Sequence, residues 1–129
     1  MVLQVSLMLK AMPLGPYPVQ VWICTSPADL IQYSQKLGYE DPDTDDLASV
    51  TNYEPNPGEL SVVVYFGPEF LSLTNQKRYG VVTHESVHVW QDICRHICES
   101  NAGIEVEANS VQWIFDWLVE QLSAKGWIK

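Results

Sequence analysis

Apolar and polar positions alternate over residues 3–9, where Leu3, Val5, Leu7 and Leu9 are interleaved with Gln4, Ser6 and Met8. A period of two predicts a half-buried strand. Pro13, Pro16 and Pro18 break the pattern, and residues 19–24 resume it in a second strand expected to pair with the first. Ser26, Pro27 and Asp29 then read as a helix start: an N-cap hydroxyl, a proline at the first helical position and an acid in the first turn. Leu30, Ile31, Tyr33 and Leu37 keep helical spacing until Gly38. Two more strands are predicted at 47–53 and 59–66, separated by a turn rich in proline and glycine at 54–58. Residues 62–66 are apolar without alternation, as expected of a strand covered on both faces. Thr74 caps a long helix to about residue 98, and a final helix spans about 104–124, ending at Gly126. Four strands with one helix among them and two helices after them, with no repeat or linker, make one α+β domain over 1–129, with a small, mostly antiparallel sheet.

Composition narrows the function classes. Hydrophobic residues at 47% and charged residues at 18% describe a chain that folds. Net charge is −9, and seven Lys and Arg scattered along the sequence form no basic patch, which argues against nucleic acid and anionic membrane as partners. The first ten residues lack the basic start and cleavage site of a leader, so a soluble, cytoplasmic protein is expected. Three cysteines, Cys24, Cys94 and Cys98, are an odd number and read as reduced, mostly buried thiols. The aspartates of 40–46 superficially suggest a calcium loop. Pro42, Asp46 and Asn52 stand where such a loop needs other residues, so a solvated acidic loop is the expectation.

The chemistry concentrates at residues 84–88, His84-Glu85-Ser86-Val87-His88. Two histidines four apart share one helical face, so both imidazoles can reach one ion. Glu85, about 100° round the helix, stands beside the metal rather than on it and can act as general base. This is the HExxH arrangement of zinc-dependent hydrolases. With three His and nine Glu in the chain, it would arise by chance in well under roughly 1% of shuffled sequences. A catalytic zinc takes three protein ligands and keeps one position open. Among the acids that follow, Glu107 lies inside the apolar arc of the last helix set by Ile104, Ala108, Val111, Ile114, Phe115, Leu118 and Leu122, whereas Glu105 lies outside it. A glutamate on a buried face must be paired or metal-bound, which selects Glu107. Asp92, one turn past His88, reads as a supporting neighbour, and Gln91 as a group that lines the cleft or orients a ligand. Tyr53, Tyr65, Tyr79 and Arg95 are the available donors for a developing oxyanion.

With eighteen residues between His88 and Glu107, the chain resembles the gluzincin metallopeptidases, whose pattern is HExxH-x18-E, and the small zincin-like domains of bacteria and phages. The resemblance covers about residues 59–120. It implies a small twisted sheet over the motif helix and a C-terminal glutamate helix, with one strand bordering the cleft, here assigned to 62–66. It implies Zn2+ as cofactor, held by His84, His88 and Glu107, and peptide or protein substrates. Many gluzincins carry an acid four positions after the ligand glutamate. Val111 stands there, so the supporting partner must come from elsewhere, Asn109 or Asp92. The expected activity is peptide-bond hydrolysis with Glu85 as base. The alternative is a catalytically weak or inactive zincin-like domain acting in assembly, scaffolding or inhibition.

Overall fold

The computed structural model describes residues 11–13, 19–97 and 103–129. Its elements run β1 (Ala11–Pro13), β2 (Val19–Cys24), α1 (Pro27–Lys36), β3 (Ala48–Tyr53), β4 (Leu60–Phe66), α2 (Asn75–His96) and α3 (Ile104–Ala124). The sheet order is β1-β2-β4-β3. β1 with β2 and β3 with β4 are antiparallel, while the central pair, β2 and β4, is parallel. The sheet is therefore mixed. α1 and β3 both lie between β2 and β4 in sequence, and this long connection returns the chain in the same direction, as a parallel pair requires. The strand expected at 3–9 lies outside the described residues; the segment that pairs with β2 is Ala11–Pro13.

β4 is buried at all seven positions. Leu60, Val62, Val64 and Phe66 face one core with Val19, Val21 and Ile23 of β2, Val82, Val89 and Ile93 of α2, and Ile114, Leu118 and Leu122 of α3. Val63 and Tyr65 face a second core with Leu30 and Tyr33 of α1. The sheet thus carries α1 on one face and the α2–α3 pair on the other, which is why β4 shows no polar alternation. Tyr33 and Ser61 share a hydrogen bond of 2.9 Å, and Ser34 bonds Tyr53, so the hydroxyls under α1 are satisfied.

Local chemistry sets the helix ends as expected. Ser26 Oγ accepts from the Asp29 N–H, and Thr74 Oγ1 accepts from the Lys77 N–H. Gly38 and Gly126 close α1 and α3 with φ of 81° and 77°. A short 3-10 turn at Pro68–Ser72, absent from the pattern reading, joins β4 to α2. Arg78 holds that corner by donating to the carbonyls of Leu71, Leu73 and Trp127. No helix among the described residues is long and apolar enough to cross a membrane.

α3 packs unevenly. Ile114, Leu118 and Leu122 are fully buried, yet Ile104 is 87% exposed and Val106 56%. Replacing Leu118 by alanine should cost about 2–5 kcal/mol, whereas Ile104→Ala should change stability by less than about 0.5 kcal/mol. Urea unfolding of both variants checks this, and a comparable loss for Ile104→Ala would mean that the first turns of α3 are packed.

Candidate metal centre and its cleft

α2 presents its motif on a sharp boundary between core and solvent. Val82, Glu85, Ser86, Val89, Asp92 and Ile93 form its buried stripe. His84 and His88 stand just outside it and are exposed. Their Nε2 atoms lie 3.1 Å apart. Two imidazole nitrogens on one tetrahedral zinc, each at about 2.0–2.1 Å, would be separated by about 3.3 Å, close to the spacing seen here. His88 Nδ1 lies 3.0 Å from Gln91 Oε1. With Nδ1 as the donor to this oxygen, Nε2 would be left with its lone pair. That is the orientation a ligating histidine needs, and it gives Gln91 the orienting role.

Glu85 is 6% exposed. Burial pushes its carboxyl above the ordinary glutamate range; His84 and His88 pull it back, and Asp46 at the end of the acidic loop adds to the rise. A carboxyl so placed takes up and releases a proton more readily at neutral pH than a solvated one.

Two cavities meet at the motif. One, of about 500 Å3, is walled by Leu47, Leu73, Gly80 and Val81; the other, of about 410 Å3, by Ser49, His88, Asp92 and Arg95. Ala48, His84 and Glu85 line both. The strand bordering the cleft is therefore β3, not residues 62–66. β4 lies inside the sheet with both faces covered, and β3 is the edge strand next to it. The missed residues are Leu47 to Val50 and Gly80. A glycine inside a helical pattern, which costs about 1 kcal/mol relative to alanine, was the available signal for Gly80.

The oxyanion candidates separate cleanly. Tyr53 and Tyr65 are 2% and 0% exposed, and their hydroxyls bond Ser34 and the Thr44 carbonyl. Tyr79 donates to the Lys129 carbonyl. Arg95 alone of the four lines the cleft, and it is paired with Asp92. Asp92 is thus committed to Arg95, and Asn109 is exposed.

Glu107 is not brought to the histidines. Among the described residues, no three His, Cys, Asp or Glu side chains are grouped so as to hold a metal ion. Glu107 lies seven residues before the buried Ile114, within about 20° of it on the helical wheel, so its azimuth is that of the buried stripe. Its position along the axis is not, and it is exposed. The expectation of a buried glutamate is corrected: a wheel gives direction around a helix, while burial also needs a surface beneath that turn. Elsewhere, burial lifts the Cys24 thiol to about 11, which makes it inert. His96, off the motif face, contacts the Gly58 carbonyl, and Cys98 lies outside the described residues.

Comparison with known proteins finds no matching family model, no matching curated protein and no matching solved structure.

The raised Glu85 carboxyl has a consequence for stability. As pH rises past the ordinary glutamate value, the unfolded chain loses this proton before the folded one does, so the native state binds more protons and stability falls. That cost is complete above the folded-state value. Metal-stripped Glu85→Gln should therefore gain stability over the wild type as pH rises through this window, and hold the gain above it. Denaturation series at several pH values test this; a difference that does not change with pH would show Glu85 to be solvated.

Proposed function

We propose that the chain is a zinc-dependent peptide hydrolase of zincin-like architecture, with His84 and His88 as metal ligands and Glu85 as general base. The observation that supports this reading is the 3.1 Å approach of the two Nε2 atoms, with Gln91 Oε1 within hydrogen-bond reach of His88 Nδ1. The donor set suits zinc, which binds neutral imidazole and needs its second nitrogen held by an acceptor. Bound there, zinc would supply a Lewis acid that polarises a carbonyl and activates a water. Glu85 takes the proton of the attacking water on its carboxylate and returns it to the leaving amine. Among the described residues no strand pairs with the outer edge of β3, which would offer its backbone groups to an extended peptide lying beside the motif.

The third ligand is assigned to Glu107 on its spacing from His88 alone, since the side chain is exposed and is not grouped with the histidines. Its exposure favours a second reading, a domain that binds or scaffolds with weak or no catalysis. The two are separable.

Purified wild type should contain stoichiometric zinc and His88→Ala should not. Absence of zinc in the wild type would sink both readings. Glu107→Ala should weaken zinc binding by about 10–100-fold or more, whereas Glu105→Ala should leave it unchanged. A larger loss in Asp92→Ala would transfer the third position to Asp92. Glu85→Gln should keep its zinc and lose peptide cleavage by at least about 100-fold on a mixed peptide library. Equal absence of cleavage in wild type and variant would select the scaffolding reading.

A further inference from the structure

The cleft has two unlike halves on either side of Glu85, and the difference is written along one flank of α2. Toward the helix start, Gly80 and Val81 join Leu47 and Leu73 around the apolar cavity, with the exposed Lys77 at its rim. Toward the helix end, His88, Asp92 and Arg95 line the polar one. Among the described residues, no close contact requires glycine at position 80. It sits inside α2 without a positive φ, and a Cβ there would meet no heavy atom within 4 Å outside its immediate helical neighbourhood. Glycine in a helix interior costs about 1 kcal/mol relative to alanine, so the position sacrifices helix stability to keep open space beside the apolar wall.

In the polar half, the two carboxylates are withdrawn from solvent. Glu85 is 6% exposed, and the Asp92 side chain 9% exposed and paired with Arg95. The Arg95 side chain is 71% exposed. Its contact with Asp92 uses one of five N–H donors, and Asp92 holds the guanidinium in place. The charged group this half exposes is therefore the forked Arg95 guanidinium, whose remaining N–H donors match a carboxylate.

We infer that the cleft selects an extended peptide carrying an apolar side chain for the Gly80–Val81 cavity and an acidic side chain for Arg95. This substrate class rests on the hydrolase reading only in placing the scissile bond between the two, at Glu85. Gly80 and Arg95 are separated by about 22 Å of helix, which an extended chain covers in about six or seven residues, and the length of the Arg95 side chain shortens that requirement by one or two.

The test reads binding rather than turnover. Zinc-loaded Glu85→Gln protein is titrated into fluorescently labelled, N-acetylated octapeptides of glycine and serine. Each carries one leucine and one glutamate, five residues apart, in both orders. In one order the doubly marked peptide should bind about tenfold more tightly than its glutamine-for-glutamate sister, and likewise than its serine-for-leucine sister. Adding Arg95→Gln should abolish the glutamate preference and leave the leucine preference. Arg95→Lys should retain part of the glutamate preference. Gly80→Leu should do the reverse of Arg95→Gln, removing the leucine preference while raising the melting temperature. Binding without either preference, or Arg95→Gln weakening all sister peptides by one common factor, would overturn the inference. Intact preferences with no cleavage by wild type would overturn the hydrolase reading alone; cleavage by wild type without the preferences would overturn the bipartite cleft alone.

Discussion

The packing of α2 against β4 is the constraint from which the site follows. Val82, Val89 and Ile93 are anchored in the core, and burying three such side chains is worth about 5–9 kcal/mol. Rotating the helix would expose them, so its azimuth is set by the core rather than by the site. That azimuth buries Glu85 and leaves His84 and His88 at the surface, one turn apart with their Nε2 atoms converging. The raised proton affinity of Glu85 is thus a by-product of helix packing.

The same flank of α2 distributes the character of the cleft. Because residues three and four apart succeed one another along a helix face, Lys77, Gly80, Val81, His84, His88, Asp92 and Arg95 form a continuous border. Facing it is β3, one of the two edge strands among the described residues, and the small side chain of Ala48 lines both halves. Asp92 shows how one residue links core and surface. Buried on the helix stripe, it needs a cation, and the Arg95 it holds is the charge displayed to the cleft.

α3 is the element whose role is least determined by packing. From Ile114 onward its apolar stripe is held by the core, but the turns around Glu107 carry the same azimuth without a surface to bury them. The site accordingly has two well-oriented nitrogen donors and a third donor assigned by spacing.

Much of this was legible in the residues alone. Capping chemistry at Ser26 and Thr74, the glycines closing α1 and α3, the double burial of β4 and the placement of the HExxH stretch on a helix are all local properties. Short-range hydrogen bonds, φ preferences and hydrophobic periodicity express them directly. What only the tertiary structure decided was relational. The parallel pairing of β2 with β4 put β3 at the edge beside the motif; the elimination of Tyr53, Tyr65 and Tyr79 depended on partners 19, 21 and 50 residues away. Burial of Glu107 depended on where a neighbouring surface ends. Periodicity reports which way a side chain points, and only the assembled fold supplies what it points at.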